Sequence, residues 1–138
     1  MSQTRAHRAT TRRATTAAAA IVVALGIGMP AASAGDGEVR TSGACSRTAD
    51  WKLKAKPDNG RIEMEFEVDA NRVGQTWNVE IRDNGILVHS GTHRTVAPSG
   101  SFSITKRIAN RAGSDVLTAR AVRPATGEVC SGRLTFPG

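Results

Sequence analysis

The segment from Trp51 to Asp69 constrains the fold more than any other part of the chain. Trp51-Lys-Leu-Lys-Ala-Lys56 alternates apolar and basic residues, and Arg61-Ile-Glu-Met-Glu-Phe-Glu-Val-Asp69 alternates apolar and acidic ones. A period of two is the signature of a half-buried strand, and Pro57-Asp58-Asn59-Gly60 between the two runs is turn chemistry. A two-residue Asn59-Gly60 turn sets Lys56, Lys54 and Lys52 against Glu63, Glu65 and Glu67. On the other face it sets Ala55, Leu53 and Trp51 against Met64, Phe66 and Val68. Opposite charges directly across a ladder contribute about 0.2–1 kcal/mol per pair, so both faces select the same register. A four-residue turn over Pro57 to Gly60 keeps the faces but slips the register by two and sets Lys56 against Arg61; the shorter turn is preferred. The Lys and Glu runs are thereby used up within the hairpin and are not available as a binding site.

The pattern continues to the end of the chain. Trp77, Val79 and Ile81 alternate with polar residues before Asp83-Asn84-Gly85 and the strand Ile86–Ser90, and Asn-Gly between two such runs is the strongest short hairpin signal. Phe102 and Ile104 lie on one face of the next strand, Leu117, Ala119 and Ala121 on one face of another. Cys130, Leu134 and Phe136 share a face of the last. Seven strands at this spacing, with frequent turn residues, predict an all-β sandwich over residues 51–138. Its expected core is Trp51, Leu53, Met64, Phe66, Trp77, Val79, Ile81, Phe102, Ile104, Leu117, Ala119 and Leu134. The succession of tight hairpin, tight hairpin, lone strand and final hairpin resembles fibronectin type III and other immunoglobulin-like domains. Val116-Leu-Thr-Ala-Arg-Ala-Val122, a turn through Gly127 and a last strand are similar to the final two strands of that family. The chain has no Tyr and so lacks the tyrosine corner of such domains. The family hosts adhesion, scaffolding and accessory binding modules, so the resemblance implies a fold and no single function.

Upstream of the strands the sequence reads as an address. Arg5, Arg8, Arg12 and Arg13 precede the apolar run Ala17 to Met29, which ends in Pro30 and Ala32-Ser33-Ala34. That is the layout of a secretory signal peptide over residues 1–34. The apolar run is shorter than the roughly 20 residues a transmembrane helix needs, so the mature form is expected to carry no membrane span. The Arg12-Arg13 pair raises a twin-arginine route, though the residues after it are not large and apolar. A secreted, extracellular location follows, and there a lone pair of thiols oxidises. Cys45 and Cys130 are therefore expected to form a disulfide that ties an N-terminal extension, residues 35–50, to the last strand. They lack the spacing and the neighbouring histidines of a redox or metal pair.

Catalytic patterns are absent. There is no G-x-S-x-G elbow, and carboxylates such as Glu63 and Glu65 are accounted for by the lysine ladder. His89 and His93 stand four apart on an expected strand, roughly 13 Å at about 3.3 Å per residue, too far to share an ion; a bend at Gly91 would bring them together, but no third ligand is evident. No catalytic residue, metal site or cofactor is expected. Charge gives the remaining signal. Of 19 basic and 12 acidic residues in the chain, four basic ones lie in the leader, leaving an ordinary +3 without stacking aromatics beside it, which disfavours nucleic acid. Residues 84–138, however, hold 7 basic residues against 2 acidic, whereas residues 35–83 hold 8 against 10. Arg120 and Arg133 are expected to face outward from neighbouring strands, with Arg123 at the hairpin tip between them. Such a patch suits an anionic envelope component or an acidic extracellular protein. The leading expectation is thus a non-catalytic interaction or envelope-associated module. The alternative is an inhibitor of an extracellular enzyme that presents Val96 to Gly100 or Arg123 to Gly127 as a loop.

The exported protein is expected to begin at Gly35. Intact-mass measurement of protein recovered from the medium checks this, and a form that keeps the leader contradicts it.

Overall fold

The computed structural model describes residues 37–138, all β and turn, so the leader expected over residues 1–34 lies outside the described residues. Eight strands follow in order: β1 (Val39–Ala44), β2 (Asp50–Asp58), β3 (Arg61–Asp69), β4 (Thr76–Asp83), β5 (Ile86–Arg94), β6 (Ser101–Ala109), β7 (Asp115–Arg123) and β8 (Glu128–Phe136). They form two antiparallel four-stranded sheets, in the orders β1-β2-β3-β6 and β5-β4-β7-β8. β2, β3, β4, β7 and β8 alternate buried residues with more exposed ones, and the buried sets of the two sheets face each other across one apolar core.

The β2–β3 hairpin adopts the shorter turn. Lys52, Lys54 and Lys56 stand opposite Glu67, Glu65 and Glu63, with N–O distances of 3.4, 3.1 and 3.1 Å. Asn59 and Gly60 both take positive φ, 48° and 76°, the conformation that a two-residue type I′ hairpin demands. Asn84 and Gly85 repeat it at 49° and 81°. All twelve residues expected in the core are buried, along with Ala55, Ile62, Val68, Ile108, Ala121, Cys130 and Phe136.

The strand count differs from the expected seven. β1 lies within the stretch read as an extension and pairs along its whole length with β2, from Val39↔Ala55 to Ala44↔Asp50. Val-Arg-Thr-Ser-Gly-Ala carries only one large apolar residue, so hydrophobic alternation could not announce it. What places it is the free edge of β2 and the close approach that Gly43 permits. A Cβ built on Gly43 would stand 2.9 Å from Trp51 Cζ2, and one on Gly132 of β8 would stand 2.7 Å from Trp51 Cζ3. The indole is therefore gripped between a glycine of its own sheet and a glycine of the opposite one.

The disulfide closes the same side of the sandwich. Cys45, directly after β1, is bonded to Cys130 of β8 across a sequence separation of 85. Closing a loop of that length removes roughly 4–5 kcal/mol of denatured-state entropy at most. Beside it, Ser46 N–H donates to the Val129 carbonyl at 2.8 Å and Val129 N–H donates to Ser46 Oγ at 2.9 Å. Glu128, buried at the start of β8, accepts the backbone N–H groups of Thr48 and Ala49 on Oε1 at 2.7 and 2.8 Å. The turn between β1 and β2 is thus held to β8 by one covalent bond and four hydrogen bonds.

Replacing Gly132 by Ala is expected to destabilise the domain by about 1–3 kcal/mol, the usual cost of overpacking a filled core. Urea unfolding with the disulfide intact measures it, and an unchanged midpoint would show that Trp51 is not wedged as described.

Candidate binding face

The outward residues of the β5-β4-β7-β8 sheet line up in rows fixed by its register. One row runs Thr92, Asn78, Val122, Val129; the next Ser90, Glu80, Arg120, Ser131; the next Leu87, Arg82, Thr118, Arg133. Arg120 and Arg133 are both exposed and occupy diagonal positions on neighbouring strands, roughly 7–8 Å apart. A shallow depression of about 360 Å³ lies beside Arg120, lined by Asn78, Val79, Glu80, Ser90, Gly91, Thr92 and Val122 as well. Thr92 Oγ1 donates to Asn78 Oδ1 at 3.0 Å on its rim.

Electrostatically the two outer faces of the sandwich are unlike. On the β1-β2-β3-β6 sheet six basic residues (Arg40, Lys52, Lys54, Lys56, Arg61, Arg107) meet six acidic ones (Asp50, Asp58, Glu63, Glu65, Glu67, Asp69). Besides the lysine ladder, Arg107 Nε stands 2.7 Å from Asp58 Oδ2. On the β5-β4-β7-β8 sheet four arginines (Arg82, Arg94, Arg120, Arg133) face a single carboxylate, Glu80. Glu80 is engaged by Arg82 at 3.4 Å, and neither Arg120 nor Arg133 has an ion pair among the described residues. This face carries surplus positive charge with hydroxyl and amide groups between the arginines. It has no exposed aromatic ring, since both Trp and all three Phe of the chain are buried, so it lacks the platform on which sugars or bases stack.

Arg123 does not join this face. It ends β7 on the inward side, in register with Glu128. Because the Glu128 carboxylate is taken by the Thr48 and Ala49 amides, Arg123 Nε is left buried without a hydrogen-bond partner. The alternation of β7 already placed 123 with 117, 119 and 121, and its position at a turn masked that parity in the sequence. The tip itself is tight: Gly127 N–H donates to the Arg123 carbonyl at 2.8 Å and Glu128 N–H to Thr126 Oγ1 at 3.3 Å. The other expected loop, Val96 to Gly100, is tied down too. Val96 N–H donates to the Ser101 carbonyl and Gly100 N–H to the Val96 carbonyl, each at 2.9 Å. Thr95 beside it is fully buried and bonds the Arg72 carbonyl and the Gln75 amide. Two exposed valines, Val73 and Val96, stand on the segments that Thr95 joins.

Two side-chain clusters take their geometry from the folded chain. His89 and His93 are not held apart by the spacing of their backbones: their Nε2 atoms lie 2.9 Å from each other. Both side chains lean over Gly91 on the inward face of β5, and the His93 ring stacks on Phe102 with centroids 5.5 Å apart. Burial, with Lys106 nearby, holds both imidazoles below their usual pKa. The second cluster is Asp83 and Asp115, buried at the ends of β4 and β7. Asp115 accepts from Asn84 Nδ2 at 3.2 Å and from Arg111 N–H at 3.3 Å, and Asn84 Oδ1 accepts Val116 N–H at 2.8 Å. Asp83 has only Arg111, at 3.5 Å, and its Oδ1 is buried without a partner. Burial, and then the neighbouring Asp115 carboxylate, raise the Asp83 pKa above its ordinary value. The pair pins the β4–β5 hairpin to the start of β7.

Because the folded state binds the Asp83 proton more tightly than the unfolded chain does, the stabilisation is complete below about pH 4 and is lost as pH rises through the raised pKa. Asp83→Asn is therefore expected to raise the melting temperature at neutral pH and to lose that advantage in acid. A melting series from pH 3 to 8 checks it, and a variant less stable at every pH contradicts it.

No protein-family model matches the chain, and no curated protein sequence is significantly similar to it.

Proposed function

We propose that this chain is an exported, non-catalytic binding module with a fibronectin type III-like sandwich, and that it engages an anionic envelope component through the outer face of the β5-β4-β7-β8 sheet. The observation that carries the reading is the pair Arg120 and Arg133, two exposed cations without ion pairs on one sheet face, opposite a sheet whose charges balance. With β1 set aside, the order β2-β3-β6 opposite β5-β4-β7-β8 supports the family resemblance, which implies a scaffold for surface recognition. The basic leader, the disulfide and the lack of a long apolar helix among the described residues are compatible with export. Arginine suits the ligand because its planar fork holds phosphate or carboxylate in two places at once.

A second reading, inhibition of an extracellular enzyme, is favoured by Val73 and Val96, displayed on segments that Thr95 locks in place. The two differ in salt dependence. Exposed charge contacts are screened over about 8–10 Å at physiological ionic strength, whereas an apolar loop docked in a cleft is little affected.

Retention on a phosphate-bearing wall polymer and on a neutral polysaccharide is to be compared across a salt series. Wild type is expected to bind the former and to be released by salt. Arg120→Gln with Arg133→Gln should lose most of that retention while changing stability by no more than about 0.5 kcal/mol. Equal retention of the two proteins at every ionic strength removes the reading and moves attention to Val96.

A further inference from the structure

We infer that the hydrogen bond between His89 and His93 is an acid-sensitive latch on the open side of the sandwich. It holds edge strand β5 against β6 while the pair carries at most one added proton, and it releases β5 when a second arrives. The inference is independent of the arginine face, for the two histidines point to the opposite side of their sheet.

The two sides of the sandwich are closed by unequal means. At the β1–β8 side stand the disulfide and the hydrogen bonds of Ser46 and Glu128. At the other side β5 and β6 are edge strands of different sheets, and among the described residues no ion pair joins them. The seam is crossed by the stack of His93 on Phe102, with ring centroids 5.5 Å apart and planes at 21°. His89 holds His93 in that stack through the Nε2–Nε2 contact of 2.9 Å. Their ring centroids are 5.1 Å apart, so the two rings meet almost end to end. Gly91 lies beneath the bond: a Cβ there would stand 3.5 Å from His93 Nε2 and 3.6 Å from His89 Nε2.

A hydrogen bond between two imidazoles tolerates one extra proton and not two. In the neutral pair one Nε2–H donates to the lone pair of the other Nε2, whose ring carries its proton on Nδ1. A first added proton goes to Nδ1 of the donor ring and leaves the bond in place, now charge-assisted. The second has only the acceptor's Nε2 left to occupy. It takes the lone pair, sets two N–H groups and two positive charges head to head, and breaks the bond. The protons enter in two macroscopic steps that belong to the pair.

The surroundings offer the second proton no countercharge. β6 turns Lys106 inward, in step with Phe102, Ile104 and Ile108. Burial, and then this ammonium, hold both imidazoles below their ordinary pKa. β4 presents the uncharged Trp77, Val79 and Ile81 in register with His93, Gly91 and His89, and β3 sets Met64 beside Lys106. Glu80 and Arg82 of β4 lie on the outer face and pair with each other. Arg107 of β6 is turned out to Asp58, and Arg94 ends β5 on the outer face opposite Thr76. Asp83, opposite Ile86 at the hairpin end, titrates in the other sense, for acid stabilises it. The closed latch binds its protons more weakly than the open one. It therefore holds above about pH 6.5, the ordinary imidazole value, and weakens as pH falls through the lowered ones.

Amide hydrogen exchange of the full chain is to be compared at pH 7 and pH 5 after correction for intrinsic rates, with the imidazole resonances titrated in parallel. His7, the remaining histidine of the chain, is kept in every protein. In wild type the β5 amides are expected to lose protection at least tenfold on acidification relative to those of β7, an inner strand of the same sheet. His89→Gln together with His93→Gln should abolish that loss. Lys106→Met should raise both titration steps and shrink the loss. Unchanged β5 protection in wild type, the same loss in the double variant, or a Lys106→Met protein that titrates and opens as wild type does would overturn the proposal. Circular dichroism confirms the fold of each variant, and Lys106→Met keeps the test decisive if the double variant unfolds.

Discussion

The contact on which most of this architecture turns is the grip on Trp51. Its indole fills the space between the sheets at the β1–β8 side, and it fits because Gly43 and Gly132 contribute no side chain there. Interiors are packed as densely as organic crystals, so one large ring on β2 obliges the facing positions on β1 and β8 to be small. The consequences run outward from that point. β1 can lie close along β2, Cys45 at its end comes within 4.3 Å of Cys130 between Cα atoms, and Glu128 is positioned to receive the Thr48 and Ala49 amides.

Polar groups hold the ends of the sandwich where apolar packing runs out. At one end Thr95 bonds the Arg72 carbonyl and the Gln75 amide. At another, Asp115 and Asn84 join the β4–β5 hairpin to β7. A buried polar group is costly unless it is hydrogen-bonded, and most of these are satisfied. Among the described residues Gln75 Oε1 and Trp77 Nε1 are buried without a partner, and so is one polar atom each of Asp83 and Arg123. The latter two are each the last residue of a strand on its inward side, where alternation forces a side chain into the core although the next residue already turns away.

The outer faces divide the charge between them. The hairpin of β2 and β3 neutralises itself pair by pair, at a modest gain for each exposed pair, and thereby leaves one side of the molecule electrically quiet. The other sheet takes the arginines without matching acids. That segregation arises because β7 and β8, which hold Arg120 and Arg133, pair with β4 and with each other and never with the acidic strand β3. A two-sheet fold with such unequal faces has an orientation in any electric field, and it would approach a polyanion with one side first.

Sequence alone determined what local alternation can express. The strands β2 to β8, the two Asn-Gly turns, the pairing of Lys52, Lys54 and Lys56 with Glu67, Glu65 and Glu63, the twelve core residues named from alternation and the Cys45–Cys130 bond were all legible. Period-two patterning, turn residues and a count of two cysteines are properties of neighbours along the chain. β1 was not legible, because a small polar strand is specified by the edge it meets and not by its own residues. Arg123 was misplaced for a related reason: its side was set by strand parity, while its position suggested a tip. The histidines show the limit most clearly. Spacing along a strand fixes how far apart two backbones are, about 13 Å for a separation of four residues, but not which way the side chains lean. Only the tertiary structure, with both rings leaning over Gly91 and Phe102 stacked on one of them, brought the two Nε2 atoms to 2.9 Å.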